Sequence, residues 1–389
     1  MLHNKYLQRG GEDVSVETEA KALNEAGHSV TLFQLSNIDL SRKSTLAVAA
    51  DAIWSRGMAN LLGELTSGEK YDIVHVQNYF PQLSPSVHWA ARRLKLPTVQ
   101  HLRNFRFICS AATLYRDGAP CHDCVGAIAP WRGIIHACYR SSRPASAAAA
   151  AMVGIHKAVG TWKHAVGRYI AISDYVKQIH VEAGLPAEKI SVRPNLVLQY
   201  PSTDEGRSEE VVAAGRFVPE KGFDVLIAGW RRRSRKMLLR IIGSGPDERR
   251  LLELAAGDPS ISFEQPVAPT ELLSIFARAR AVVVPSVWAE PFGRVALEAM
   301  SVGTPVLASW TGGLPGVLGE ESGLLFEPGN AADLDARLTW LTQNEQAWRH
   351  HATLAATRYR NEFSVAAIVH RTLQLYEQTI AEWQPRGAG

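Results

Sequence analysis

Short apolar runs separated by amphipathic helical stretches occur along this chain in two successive series, and that alternation constrains the fold more than any single motif. In the first series the strand-like runs are residues 30–33, 72–76, 98–101, 169–172 and 189–192. Helical periodicity covers about 12–26, 45–65, 84–94 and 146–166. A polar stretch at 201–210 reads as a linker, and strand-like runs resume at 211–214, 238–242, 261–263 and 281–284. Helical sequence follows from about 331 to the end. Strands alternating with helices in this way build parallel sheets covered on both faces. A chain of 389 residues, 46% hydrophobic and 21% charged, is long enough for two such cores. The expected fold class is therefore α/β, with two Rossmann-like doubly wound domains at 1–197 and 198–364 and an irregular insertion at 105–143. Only Met1-Leu2-His3 precedes the segment leading to the first glycine turn. That is a stub of what should be a central strand, so the expectation is a start upstream or a trimmed chain.

Composition narrows the function classes. A net charge of +4 is small for this length and gives no reason to expect a nucleic-acid partner. No apolar run approaches a membrane span, and the first residues lack a secretory pattern, so a cytoplasmic location is expected. Four cysteines in a chain this long do not make a disulfide scaffold.

The chemistry is expected around Pro285. The run Ala281-Val-Val-Val284 reads as a buried parallel strand. A loop carrying Glu290 follows, then Phe292-Gly293, a helical segment carrying Glu298, and the turns Gly303-Thr-Pro305 and Gly312-Gly313. A helix N-terminus just beyond the carboxyl end of a buried strand offers N–H groups and a positive dipole end to a phosphate. Glu290 before that helix and Glu298 within it should lie on opposite sides of its start, with separate tasks. Ordinary surface acids are the plain alternative.

All four cysteines fall in the insertion, as Cys109, Cys121, Cys124 and Cys138. Cys121-His-Asp-Cys124 is a C-x(2)-C knuckle beside turn residues, flanked by two single cysteines. Four thiolates can close a tetrahedral structural zinc site; four reduced, packed thiols are the alternative.

Several short motifs occur in order: Gly10-Gly11 before a helix, Gly215-Arg216 with Lys221-Gly222, Gly243-Ser-Gly245-Pro246, Glu290-Pro-Phe-Gly with Glu298, and Gly303-Thr-Pro-Val. As a set, from near Gly10 to about Gly329, they resemble the retaining, nucleotide-sugar-dependent glycosyltransferases of family four (glycosyl transferases group 1), which have the GT-B fold. The resemblance implies two Rossmann-like domains facing each other across a cleft, the first on the acceptor side and the second holding the nucleotide sugar. It also implies that a C-terminal helix at 365–389 crosses back to the first domain. Arg216 and Lys221 match the basic pair on the donor diphosphate. Glu298 matches the glutamate on the ribose hydroxyls. Glu290 matches the one near the donor sugar, where Phe292 and Gly293 present backbone N–H groups. His101 matches a histidine over the transferred sugar, with a structural strand-end histidine as the alternative. Gly10 and Gly11 match the loop that lets substrate approach the backbone, and a plain turn is their alternative. His75, inside its strand, reads as packed. Gly316 departs from the pattern by standing where an acid is common.

The activity so implied is retaining transfer of a hexosyl group from a UDP-, GDP- or ADP-sugar to a hydroxyl of a glycan, lipid-linked or small-molecule acceptor, as in polysaccharide and cell-envelope biosynthesis. A diphosphate is a good leaving group, and no D-x-D-type motif lies near the donor elements. Front-face transfer without an enzymic nucleophile or a catalytic metal is therefore expected. Trp131-Arg132, Arg140 and Arg143 give the insertion an aromatic and basic character suited to a phosphorylated or membrane-borne acceptor, with peripheral contact at the inner face of the plasma membrane. The basic run 231–236 reads as a solvated helix end. Two rival readings use the same phosphate grip: a nucleotide-sugar epimerase of GT-B architecture, and a non-catalytic nucleotide-sugar-binding protein.

Overall fold

The computed structural model describes residues 1–5, 10–37, 44–198, 208–232, 237–319 and 324–383. Most of the linker read at 201–210, and residues 233–236 of the basic run, lie outside them. The chain divides into two units, one of Met1–Leu114, Cys121–Pro194 and Ile368–Gly389, the other of Tyr115–Pro120 and Asn195–Ala367.

The first unit is built on a parallel six-stranded sheet. Its strands are β1 (Leu2–Lys5), β2 (Phe33–Ser36), β3 (Val74–Asn78), β4 (Thr98–Leu102), β7 (Arg168–Ala171) and β8 (Ile190–Val192), in the order β2-β1-β3-β4-β7-β8. A small antiparallel hairpin, β5 (Tyr115–Arg116) and β6 (Ala119–Pro120), comes between β4 and β7 in the chain and belongs to the second unit. The residues present at the start form a strand. Leu2–Lys5 pairs with β2 along its whole length and with β3 on its other side. An apolar-run reading missed it because the middle of this strand is polar: His3 and Asn4 are fully buried and bonded to other side chains. His3 Nε2 lies 2.8 Å from Asp13 Oδ1, Asn4 Nδ2 donates to Asn37 Oδ1 at 2.7 Å, and Asn4 Oδ1 accepts from Gln82 N at 2.8 Å.

Other boundaries move for local reasons. The strand expected at 30–33 lies at Phe33–Ser36, where pairing with β1 begins. The helix expected at 45–65 is two helices, Thr45–Ile53 and Arg56–Ser67, because Ser55 caps the second through its side chain. The helix expected at 146–166 ends at Ala158, and Gly160, at φ +71°, starts a separate short turn. Ser173 caps the helix Asp174–Glu182 through Val176 N, as its residue type suggests. The last helix, Val365–Glu382, has Ile368 and Thr372 buried.

The second unit repeats the plan with β9 (Glu210–Ala214), β10 (Leu238–Ile242), β11 (Ile261–Glu264), β12 (Ala281–Val284), β13 (Val306–Ser309) and β14 (Leu325–Phe326). Their order, β11-β10-β9-β12-β13-β14, is the doubly wound order with its reversal between β9 and β12. The strand-like reading of the sequence did not include β13 and β14, which are only four and two residues long. Val211, Ala213, Leu239, Ile241, Val283 and Leu307 form one buried cluster with Trp230 and Leu334 from flanking helices. At about 25 cal/mol per Å² of apolar surface removed from water, burial of this kind supplies most of the favourable folding free energy.

Candidate functional sites

In a doubly wound sheet ligands collect beyond the carboxyl ends of the strands where the order reverses. In the second unit that point lies after β9 and β12, and two sequence-predicted residues meet there. Lys221 Nζ donates to Glu290 Oε2 at 2.7 Å. The same carboxylate oxygen accepts from Ser286 Oγ and Trp288 Nε1, each at 3.0 Å. Lys221 also stands 5.3 Å from the Trp288 ring centroid. An ammonium has three N–H donors, and this arrangement aims it while leaving donors for another acceptor.

Two glycines make the approach feasible. Gly222 has φ +67°, and a Cβ there would sit 2.0 Å from the carbonyl oxygen of Pro285 at the end of β12. The contact is reinforced by Val287 N donating to Glu220 O at 3.0 Å. Gly312 has φ +56°, and its Cβ would lie 2.2 Å from Glu290 O, while Gly313 N donates to that oxygen at 2.7 Å. The Lys-Gly and Gly-Gly motifs therefore place Lys221 and Glu290 from opposite directions.

The remaining donor-side residues are less gathered. Gly293, at φ +97°, is the N-cap of the helix Arg294–Ser301, and Phe292 is buried beside Phe363. Glu298 faces along that helix, accepting from Arg294 Nε at 2.7 Å, so the two glutamates have different partners. Arg216 is 62% exposed in its side chain and reaches Glu220 at 3.4 Å. Sequence reasoning missed Ser286, Trp288, Glu220 and Arg294. Of these, only Arg294 and Glu220 carried a signal, the i,i+4 spacing to Glu298 and Arg216.

In the first unit the helix Gly11–Glu25 begins at Gly10, whose N–H donates to Asp13 Oδ2 at 2.9 Å. Gly10 has φ −125°, and a Cβ there would meet no atom within 4 Å, so neither strain nor packing demands glycine. His101 is buried in β4, with Nδ1 3.2 Å from His75 Nε2. His75 Nδ1 in turn lies 2.6 Å from the Tyr376 hydroxyl of the last helix. Beside them Glu19 is 2% exposed and ion-paired with both Arg193 and Arg103. Burial alone would raise the Glu19 carboxyl, but Arg193, His75, Arg103 and the Gln77 amide outweigh it and hold it below its ordinary value. Burial, reinforced by Arg103 and Arg193, holds His101 well below the ordinary histidine range. His75 falls to about 3, with burial the leading cause and Glu19 only partly opposing it.

Among the described residues, Glu19, His75 and His101 form the one set of three or more metal-ligand-type side chains whose ligand atoms all lie within 4.8 Å of one another. Two guanidiniums already neutralise that carboxylate, so the set suits proton and hydrogen-bond placement better than a cation. The four cysteines form no disulfide and are partly buried. They lie close enough that Cys109, Cys121 and Cys138 raise the Cys124 thiol, after burial as the leading cause. The segment around them is conformationally tense: Ala112, Leu114, Asp117, Ala137, Arg140 and Ser141 all have positive φ. Trp131 and Ile135 are each 53% exposed and Ile128 is 74% exposed. No helix among the described residues is long and apolar enough to cross a membrane.

Two six-stranded parallel sheets, each with a polar cluster near its carboxyl edge, define a GT-B protein, and solved structures of that class superpose on the chain. The structure described as Anabaena Alr3699/HepE in complex with UDP and glucose matches with a TM-score of 0.68, at 17% identity over 97% of this chain and 100% of that one. A glycosyltransferase from Rickettsia africae matches at 0.69, with 16% identity over 98% of each chain. Residues 9–197 match the family described as Glycosyltransferase Family 4, and residues 201–358 match Glycosyl transferases group 1. The chain belongs to this glycosyltransferase family. Among curated relatives, the D-inositol 3-phosphate glycosyltransferase of Corynebacterium glutamicum is 36% identical over 185 residues, 44% of this chain and 44% of its own length. The match thus spans less than half of that relative. A 42.6 kDa protein of the Klebsiella pneumoniae cps region, described as uncharacterized, is 24% identical over 78% of this chain and 82% of its own.

Proposed function

We propose that the protein is a retaining glycosyltransferase that takes a hexosyl group from a nucleotide diphosphate sugar and passes it to an acceptor hydroxyl. The observation that carries this reading is the Lys221–Glu290 pair, held by two close-approach glycines where the strand order of the second sheet reverses. Lys221 and Arg216 meet the diphosphate and bear the charge that develops as the bond to it breaks. Glu290 orients Lys221 and, with the Phe292-Gly293 backbone, faces the sugar, while Glu298 takes the ribose hydroxyls. His101, with Gly10 and Gly11, belongs to the sugar and acceptor side. The bond from the anomeric carbon to the phosphate oxygen breaks, the bond to the acceptor oxygen forms on the same face, and the acceptor proton goes to the departing phosphate oxygen. A UDP-sugar is the first donor to try, because the similar Anabaena Alr3699/HepE was crystallised with UDP and with UDP-glucose. The exposed Ile128, Trp131 and Ile135 favour an acceptor presented at a lipid surface.

The test is a panel of UDP-, GDP- and ADP-sugars read by thermal shift and by release of nucleotide diphosphate, with and without lipid-linked acceptors. One donor should raise the melting temperature and be hydrolysed slowly alone. Interconversion of the sugar without an acceptor would instead make the protein an epimerase, and binding without any turnover would make it a binding protein. Cys109, Cys121, Cys124 and Cys138 we assign to a structural zinc site. Tetrahedral thiolate ligation sets sulfur–sulfur distances of about 3.8 Å, so the thiols draw together on binding and pin the tense segment. One zinc per chain in protein grown with zinc supports the assignment, and well under one overturns it.

A further inference from the structure

We propose that Gln77, His75 and Tyr376 are positioning residues that fix His101 as the tautomer with its proton on Nε2, so that it offers one N–H donor to an uncharged oxygen of a bound sugar. Only the identity of that ligand rests on the glycosyltransferase reading. The tautomer follows from a chain of donors and acceptors within the first unit.

The chain starts at Arg103, whose Nε and Nη2 lie 3.0 and 2.8 Å from one side-chain atom of Gln77. A guanidinium only donates, so that atom is the amide oxygen and the Gln77 NH₂ points the other way. One of its two hydrogens faces His75 Nδ1, 3.4 Å away, and the other serves the Glu19 carboxylate. Since an NH₂ group only donates, and the Glu19 carboxylate at 3.8 Å is too far to accept a hydrogen bond, we assign His75 Nδ1 as the bare nitrogen. The Tyr376 hydroxyl, 2.6 Å from the same nitrogen, then donates to it as well. With Nδ1 bare, neutral His75 carries its proton on Nε2 and gives it to His101 Nδ1 at 3.2 Å. His101 therefore has its own proton on Nε2.

That nitrogen is buried and has no hydrogen-bond partner among the described residues. His101 lines a pocket with Asn78, Gln100, Asn104 and Arg106, at the carboxyl ends of β3 and β4. A buried N–H without an acceptor is unfavourable, and a ligand oxygen placed there relieves it. The donor is uncharged, because burial beside Arg103 and Arg193 opposes an imidazolium. It therefore suits a hydroxyl or ring oxygen rather than the diphosphate. Tyr376 lies 301 residues from His75 in sequence. The last helix thus sets the hydrogen-bonding sense of a residue in the fourth strand.

The experiment uses the full chain labelled with ¹⁵N at histidine and long-range ¹H–¹⁵N correlation spectra at neutral pH, with His101 assigned from His101→Gln. The wild type should show His101 protonated on Nε2. Gln77→Glu keeps the bond to Arg103 but turns an acceptor toward His75 Nδ1, which should move the proton on both histidines to Nδ1. Tyr376→Phe keeps the ring and removes one donor, and should give mixed tautomers with a kcat lower by about tenfold, the worth of one hydrogen bond, at little change in donor KM. Wild-type His101 protonated on Nδ1, or an unchanged tautomer in a folded Gln77→Glu variant, would overturn the proposal. If the tautomers behave as stated but His101→Ala transfers sugar at the wild-type rate, the positioning chain stands and the sugar as its target falls.

Discussion

Lys221 Nζ stands 2.7 Å from Glu290 Oε2 although 69 residues separate them in sequence. Glu290 is 8% exposed and its oxygen Oε2 accepts from three side chains, so the carboxylate is held more firmly than the lysine it directs. In the proposed function the pair is an aimed cation, with Glu290 as the mount and Lys221 as the group offered to the diphosphate.

Lys221→Ala and Glu290→Gln should therefore each lower kcat by about 100-fold or more, as loss of a charge stabiliser in a preorganised site does. Because the two act as one unit, the double variant should lose little beyond the worse single. Steady-state transfer assays with the donor found in the nucleotide-sugar panel check this. Additive losses would mean that the residues act separately.

Glycine substitutions separate scaffold from site. Gly222→Ala puts a Cβ 2.0 Å from Pro285 O on a backbone at φ +67°, so the two loops must part. It should lower stability by about 1–3 kcal/mol and also abolish turnover. Gly10→Ala meets no atom and needs no unusual φ, so its melting temperature should stay near wild type. If Gly10 serves substrate approach, its donor or acceptor KM should nevertheless rise severalfold. Differential scanning calorimetry with parallel kinetics reads both, and unchanged kinetics in Gly10→Ala would reduce the motif to a plain turn.

The second unit was legible in its core strands and turns, although β13 and β14 went unread. Its strands are apolar and β-branched, as in Ala281–Val284, and its glycines mark positions where the backbone does something only glycine permits, as at Gly222 and Gly312. The first unit hid its logic in polar residues. β1 is buried through His3 and Asn4, and Glu19, His75, Gln77 and Arg193 are buried charged or polar groups with partners far along the chain. No periodicity reports such pairs, because each residue taken alone looks like a surface group. His101 was singled out through motif resemblance and His75 only as a packed residue; their links to Glu19 and Tyr376 appear in the folded chain alone.

Glu19 tests how much that hidden network stabilises. Its carboxylate is paired with Arg193 and Arg103, both nearly inaccessible to solvent. Glu19→Gln leaves two buried guanidiniums facing a neutral amide, and should cost about 3–5 kcal/mol. Urea unfolding of the variant should show a lower midpoint with an unchanged slope. A midpoint equal to wild type would mean that solvent reaches the arginines.

Acid should weaken the first unit through its buried neutral histidines. Burial lowers His88 and His180 to about 4 and His75 to about 3 in the folded state. In the unfolded chain the same groups titrate near about 6.5, so between about pH 6.5 and 4 the unfolded state binds more protons than the folded one. Stability is then greatest above the unfolded value and falls as pH drops through that window. Each histidine contributes up to about 1.4 kcal/mol per pH unit, and the contribution of His88 and His180 levels off below about pH 4. Glu19 extends the loss, because a carboxyl held below its ordinary value stabilises above that value and ceases to do so as it protonates. Urea midpoints measured from about pH 8 down to 4.5 should be flat above 7 and then decline, and His88→Gln should make the decline shallower. A midpoint that stays level from pH 7 to 5 would show that these histidines already carry their charge in the folded protein.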